Sequence, residues 1–167
     1  MQKFYKKHEL WFTLSWIIFY VGAVSFADEL SRTIGTEKLV TLPLLLAMCA
    51  VLLIWMNRNN LFSTFGLCKG SVPSSKVLWY IPLAALISSN LWFGLRWNLS
   101  VHETLLYIGS MIYVGFVEEV IFRGLLFNAM CKDGLKSAVI VSSLTFGIGH
   151  IVNLFNGSGA PLASNLC

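Results

Sequence analysis

Two neighbouring glutamates and an arginine stand inside a long apolar stretch of the chain. Glu118 and Glu119 are followed by Arg123 within the segment GFVEEVIFRGLLFNAM, residues 115–130. Ionised side chains cost on the order of 2.5–3.5 kcal/mol each at the centre of a bilayer helix, so they usually face a bundle interior and mark a functional site. A carboxylate in such surroundings can be tuned to take a proton from water, which suits hydrolysis. A proton relay is the rival interpretation.

A histidine is expected at the same depth on the following apolar segment. If residues 104–130 and 137–155 form a hairpin that turns near Gly134, residues equally far from the turn lie level with one another. Glu119 is then level with His150, and Arg123 is level with Phe146. The spacing therefore predicts that titratable groups of two adjoining helices meet inside the membrane, although it leaves the rotation of each helix open.

Helical spacing also suggests separate roles for the charged residues. Glu119 and Arg123 are four residues apart, so they share a helical face and can neutralise each other. Glu118 is rotated by about 100° from that pair in an α-helix, which leaves it able to face another helix. Phe146 precedes His150 by one turn. The alternatives are a structural ion-pair cluster for the acids and a hydrogen-bonded core residue for the histidine.

Composition identifies the elements that must hold these side chains. Of the 167 residues, 56% are hydrophobic and 12% are charged, which is more apolar than a soluble core requires. The apolar runs are continuous and lack the alternation of a barrel wall. We therefore predict an all-α fold, a polytopic membrane helical bundle in a single domain over residues 1–167. About five segments have the length of a membrane span: Leu10–Ala27, Leu39–Met56, Val77–Leu95, Thr104–Met130 and Ser137–Phe155.

The net charge of +4 is better explained by membrane topology than by nucleic-acid binding. By the positive-inside rule, the basic residues predict a cytoplasmic N-terminus and cytoplasmic second and fourth loops. We expect a multi-pass protein of the cell membrane, in contact with membrane lipid and without a nucleic-acid partner. The residues that carry this signal are Lys3, Lys6, Lys7, Arg58, Lys69, Lys76, Lys132 and Lys136.

The first apolar segment also has features of a signal peptide. A basic start and an apolar run precede Ser25-Phe26-Ala27, a small-x-small pattern of the kind that signal peptidase cuts. The run is long for a signal peptide and contains bulky residues such as Trp16 and Tyr20. We therefore expect a retained span.

Two motifs in this region resemble those of a known family. EEVIFR at Glu118–Arg123 matches an EExxxR motif, and FGIGH at Phe146–His150 matches an FxxxH motif. The chain thus resembles the CPBP family of CAAX-protease and bacteriocin-processing intramembrane proteins, which includes the Ras-converting prenyl-protein endopeptidase. The motifs lie within Ser110–Asn156, and the family-like region spans about residues 77–156.

The resemblance implies peptide-bond hydrolysis in a membrane cavity. Glu118 would be the general base on the attacking water, His150 its partner, and Glu119 and Arg123 supporting residues. Asn153, one turn beyond His150, would either orient it or form a helix contact. The substrate would be a protein or peptide, lipid-modified in the eukaryotic branch, whereas bacterial roles include bacteriocin maturation, self-immunity and surface-protein processing. We expect a bacterial chain.

A metal is not required by this interpretation, although members of the family have often been labelled metalloproteases. A zinc site formed by Glu118, Glu119 and His150 is the alternative. The sequence contains no HExxH motif, and these ligands would come from two helices. We therefore expect no metal cofactor.

The chain departs from the family pattern after His150. The resemblance implies a later helix with a second histidine and, four residues on, an Asn or Asp that helps to stabilise the oxyanion, but no histidine follows His150. The sequence thus suggests a C-terminally truncated member. Losing an oxyanion donor costs about 10²–10³ in rate, so activity would be impaired. The alternative is a non-catalytic membrane protein, such as a bacteriocin self-immunity or scaffold factor.

Overall fold

The computed structural model describes residues 1–68, 73, 81 and 100–155, and for residues 150–155 it describes the backbone alone. Every regular element in these ranges is a helix, which confirms the predicted all-α class. The predicted third span, Val77–Leu95, lies outside the described residues except for Ile81. The helices are α1 Gln2–Lys7, α2 Glu9–Ile34, α3 Thr41–Arg58, α4 Val101–Glu118, a π-helix Glu119–Leu126, α5 Phe127–Cys131 and α6 Leu135–Phe155.

Three helical segments are long and apolar enough to cross a membrane. They are α2, α3 and the continuous run Val101–Cys131, which joins α4, the π-helix and α5. The part of α6 over Leu135–Gly149 is apolar but shorter. Four of the five predicted apolar segments are therefore helical, and three of these four meet the length of a span within the described residues.

Helix α2 extends well past the predicted end at Ala27. It stops at Gly35, whose φ of 83° is a left-handed conformation, and the Gly35 N–H donates to the Arg32 carbonyl at 3.0 Å. Glycine adopts this conformation without the steric cost that a Cβ imposes, so it is a common residue just after a helix. The small residues around Ala27, which resemble a cleavage site, thus lie inside a continuous helix.

Helix α4 begins three residues before the predicted start at Thr104. Ser100 and Glu103 form a capping box in which the Ser100 Oγ accepts from the Glu103 N–H at 3.2 Å. In return, Glu103 Oε2 accepts from the Ser100 N–H at 3.0 Å. These two bonds satisfy backbone donors that the first turn of a helix leaves without partners, which explains where the helix starts.

The stretch that carries the charged motif is a π-helix. From Glu119 to Leu126 the backbone bonds span five residues instead of four, so the rotation per residue is smaller than in an α-helix. Our prediction of an uninterrupted α-helix was wrong here. Short π-helical segments in α-helices often occur at functional sites. Most of this segment is buried, including Ile121 and Leu125.

The bundle core lies beside this π-helix and includes a cluster of aromatic rings. Tyr5 meets Trp55 at 5.2 Å and Phe12 at 5.5 Å between ring centroids, both nearly edge to face. Phe65, in the turn after α3, meets Trp55 at 6.0 Å. Through this cluster α1, α2, α3 and the turn after α3 pack against one another beside the π-helix.

The N-terminus, the second loop and the turn before α6 meet at one end of the bundle. Lys132 Nζ and Glu9 Oε2 form an ion pair at 2.8 Å, and Asn128 Nδ2 donates to the Thr64 carbonyl at 3.1 Å. The segments that the basic residues predict to be cytoplasmic therefore lie at the same end of the bundle. At the other end, Lys38 Nζ pairs with Asp28 at 2.8 Å.

Candidate active site

Glu118 is the last residue of α4 and stands where the α-helix passes into the π-helix. Its Oε1 atom accepts a hydrogen bond from the hydroxyl of Tyr20 at 2.9 Å. Tyr20 comes from α2, is only 5% exposed, and lies where α2 packs against the π-helix. The first glutamate of the motif is thus held by a side chain from the first apolar segment.

In the sequence, Tyr20 stands out only as a bulky residue that argues against a signal peptide. Tyrosine in membrane proteins is concentrated at the two membrane interfaces, where its hydroxyl reaches polar surroundings. Tyr20 lies near the middle of an apolar segment instead, and a buried phenol usually has a hydrogen-bond partner. That position is the signal that could have indicated a buried polar contact.

Glu119 and Arg123 form the ion pair that their spacing predicts. Arg123 Nη1 lies 3.0 Å from a carboxylate oxygen of Glu119, and it donates a hydrogen bond to that side chain. Both side chains are accessible, at 53% and 76% exposure for Glu119 and Arg123 respectively. The pair therefore opens onto a cavity and is not enclosed in the core.

A cavity of about 140 Å³ lies between the π-helix and α6. This volume has room for several water molecules, and its polar walls supply partners for them. Both glutamates contribute to its wall, so the acids that the sequence singled out share one space. The lining residues are Glu118, Glu119, Phe122, Arg123, Ser142, Ser143 and Phe146.

A larger groove of about 490 Å³ adjoins this cavity and shares four of its residues. Its other walls come from the turn after α3 and from α5, at the end of the bundle that holds the N-terminus. The groove and the cavity together form an opening that leads from this end of the bundle toward Glu118. The groove is lined by Thr64, Phe65, Gly66, Glu119, Arg123, Phe127, Asn128, Val139, Ser142 and Ser143.

Phe146 of the second motif contacts Phe122 of the first. The ring centroids are 5.3 Å apart and the planes are 79° apart, an edge-to-face arrangement. The predicted hairpin places Phe146 level with Arg123, so its register is confirmed to within one residue. The hairpin turns at Gly134, as expected, with a φ of 108°.

Two serines of α6 belong to the cavity wall and were not identified from the sequence. Ser142 donates to the Ala138 carbonyl at 2.7 Å, so its hydroxyl hydrogen is engaged in its own helix. Ser143 is exposed to the cavity. Small polar residues at one helix face are typical of helix contacts in membranes, and this pattern could have indicated the face of α6 that meets the π-helix.

The backbone of His150 and Asn153 lies in α6, whereas their side chains are outside the described part of the structure. The predicted pairing of Glu118 with the imidazole therefore stays a prediction, and so does the supporting role of Asn153. A metal site is equally a matter of prediction. Within the described residues no three His, Cys, Asp or Glu side chains are grouped to hold a metal ion, but the proposed ligand His150 is outside that set.

In a comparison with protein families, residues 99–165 match the family described as Rce1-like, type II CAAX prenyl endopeptidase. The match begins just before α4 and contains both motifs, so it confirms the family resemblance that the motifs indicated. No curated protein and no solved structure matches the chain.

Proposed function

We propose, on the premise that residues 99–165 are of the Rce1-like CAAX prenyl endopeptidase type, that this membrane protein is an intramembrane endopeptidase. Glu118 would activate the water that hydrolyses the peptide bond. The observation that supports this most directly is the position of Glu118 in the wall of a polar cavity, beside the Glu119–Arg123 ion pair. A carboxylate in the wall of a polar cavity can reach a water molecule that enters it, as a general base must.

In the proposed reaction, Glu118 takes a proton from water while the water oxygen attacks the carbonyl carbon of the substrate. The tetrahedral intermediate then collapses with cleavage of the C–N bond. The proton passes to the leaving amine nitrogen, so that protons balance over the cycle. In this reaction one carboxylate acts first as a base and then as an acid, and a second group is needed to stabilise or relay the charge.

We assign that second role to His150. Helix α6 is α-helical from Phe146 to His150, so position 150 lies one turn beyond Phe146 on the same helical face. Phe146 contacts Phe122 and lines the cavity with Glu118. We therefore expect position 150 to share the face of α6 that meets the motif helix. Asn153 would support His150.

Glu119 and Arg123 would support the base without taking part in proton transfer. Two glutamates side by side would repel each other if both were ionised, and the guanidinium of Arg123 offsets one of the two charges. Arg123 is held on Glu119, so its charge lies beside the proposed base. The ion pair itself is the one that the spacing of four residues predicted.

The substrate we propose is a protein or peptide segment that enters along the groove of about 490 Å³. The family resemblance alone suggests a lipid-modified substrate, and the residues that line the groove do not indicate a preference for a lipid. The lipid requirement is therefore tested directly, by comparing a prenylated peptide with the same peptide without the lipid.

The decisive experiment measures hydrolysis of fluorescence-quenched peptides by the purified protein in lipid vesicles. Glu118→Gln and His150→Ala are each expected to lower turnover by at least about 10²-fold, because general acid–base groups contribute about 10²–10⁴. Glu29→Gln is the matched control, since Glu29 is an exposed acid at the other end of α2. Wild-type turnover in the Glu118→Gln variant would contradict the proposal.

A non-catalytic immunity or scaffold function is the second candidate. It follows from the resemblance to the CPBP family, whose bacterial roles include self-immunity. In this case Glu118→Gln and His150→Ala would leave protection against a bacteriocin, or binding of a partner protein, unchanged. Loss of protection together with loss of hydrolysis would support the peptidase.

A further inference from the structure

One side chain outside both motifs reaches the proposed base. The Tyr20 hydroxyl donates to Glu118 Oε1 at 2.9 Å across 98 positions of sequence. The two residues are brought together because α2 packs against the π-helix. Tyr20 is 5% exposed, so water competes little for this bond.

Other buried hydroxyls of α2 behave differently. Thr13 donates to the Glu9 carbonyl and Ser31 donates to the Ala27 carbonyl, each at 2.8 Å and one turn back along the same helix. Such bonds satisfy a short side chain locally. The phenol of Tyr20 stands too far from its own backbone for this, so its donor is directed at the neighbouring helix.

We infer that Tyr20 is a positioning residue of the hydrolytic site. A carboxylate is planar, so fixing one oxygen defines the plane in which the other oxygen lies. A hydrogen bond to an ionised acceptor is about twice as strong as a neutral one, which makes it suited to holding a side chain in place. The bond from Tyr20 thus sets the direction in which Glu118 meets water. This inference rests on the proposed function.

The proposed site extends beyond the residues that match the family. Residues 99–165 match the family, but the side chain that orients Glu118 comes from α2. The site therefore requires the first apolar segment as well as the motif helices. Cleavage after Ala27 would separate Tyr20 from the rest of the chain, so the inference requires that the first segment is retained or stays bound.

Tyr20→Phe tests the role, because it removes the hydroxyl and keeps the ring that packs in the core. We expect kcat to fall about 10-fold or more, since hydrogen bonds to charged groups have this magnitude, and KM to change less than twofold. Tyr113→Phe is the matched control. Tyr113 is half-buried on α4 and packs against the same core, and among the described residues its hydroxyl makes no hydrogen bond.

A second measurement needs no turnover. Thermal unfolding of Tyr20→Phe, Glu118→Ala and the double variant forms a cycle that reports the bond itself. The double variant is expected to lose less in Tm than the sum of the two single losses. The Tyr113→Phe and Glu118→Ala variants should combine additively.

The outcomes separate the two proposals. An active wild type whose kcat is unchanged by Tyr20→Phe overturns the positioning role and leaves the peptidase standing. A rise in KM at constant kcat also overturns the positioning role. A wild type that cleaves no peptide, with coupling preserved in the cycle, removes the proposed function and the catalytic role of Tyr20, whereas the Tyr20–Glu118 bond stands.

Discussion

The rings of Phe122 and Phe146 meet edge to face at 5.3 Å, so each sequence motif supplies one half of a single aromatic contact. Phe122 belongs to the π-helix and is 5% exposed, whereas Phe146 lies on α6. The contact fixes the register between the helix that carries the acids and the helix that carries His150. It also forms part of the cavity wall.

Phe146→Leu should weaken this contact without opening a large cavity. We expect a loss of about 0.5–1.5 kcal/mol in unfolding free energy, the amount that an aromatic pair adds beyond its buried area. Turnover should fall in parallel, because the register of His150 loosens. Denaturant unfolding and peptide hydrolysis measure the two effects. Phe26→Leu, at an exposed position on α2, is the control. Equal losses in both variants would refute a special role for the pair.

Gly124→Ala should destabilise the protein because the π-helix passes close to the turn after α3. A Cβ at position 124 would stand 3.2 Å from Phe65 Cβ and 3.3 Å from its Cγ. Overpacking of a core typically costs about 1–3 kcal/mol, and the helix propensity of alanine offsets about 1 kcal/mol of this, so we expect a small net loss because the Phe65 Cβ is anchored to the backbone. A Tm measured in detergent is expected to fall accordingly.

Gly115→Ala provides the matched comparison for this glycine. Gly115 lies in α4, and a Cβ there meets no atom of the described residues within 4 Å. Alanine is favoured over glycine in a helix by about 1 kcal/mol, so this variant should be as stable as the wild type or more so. Similar Tm values for the two alanine variants would contradict the close approach of Phe65.

Arg123→Ala should reduce hydrolysis while leaving most of the fold intact. The substitution leaves Glu119 beside Glu118 without the cation that offsets its charge. We expect about a 10-fold loss of turnover, and partial recovery in Arg123→Lys, since lysine restores the charge but not the fork of donors. Arg32→Ala breaks the comparable Arg32–Glu29 pair at 3.3 Å and serves as the control. Full activity of Arg123→Ala would show that the pair is dispensable.

Native cysteines can report which side of the membrane holds the end of the bundle where the N-terminus, the second loop and the turn before α6 meet. Cys68 and Cys131 are exposed, and both lie in the predicted cytoplasmic loops or beside them. An impermeant maleimide should label them in inverted vesicles and spare them in intact cells, whereas Cys49 is buried and should stay unlabelled.

The opposite labelling is expected at the other end of the bundle. An Ile34→Cys variant, in a background without the native cysteines, places an exposed thiol at the end of α2. It should react in intact cells. Labelling of position 34 and Cys131 from the same side would contradict the predicted topology.

Chelation of divalent metals should leave hydrolysis unchanged, because the proposed step needs only Glu118 and His150. Activity is measured before and after treatment with 1,10-phenanthroline and dialysis. Loss of activity that added zinc restores would support the alternative in which Glu118, Glu119 and His150 hold the metal.

The sequence by itself determined the class of the protein and the parts of the site that are close along a helix. Apolar runs of span length specify membrane helices because a bilayer leaves the backbone no other way to satisfy its hydrogen bonds over that length. The Glu119–Arg123 pair follows from a spacing of four residues, and it forms although the backbone there is π-helical. The hairpin register follows from the short turn at Gly134.

The tertiary structure alone decided which helices face one another. The rotation of a helix depends on the packing of its neighbours, and no local spacing encodes that Tyr20 would meet Glu118 or that Gly124 would meet Phe65. The π-helix is a further example, since the sequence pattern gave no signal for it. The sequence could therefore single out Glu118 as the candidate reactive acid, whereas its hydrogen bond with Tyr20 became visible only when distant helices were packed together.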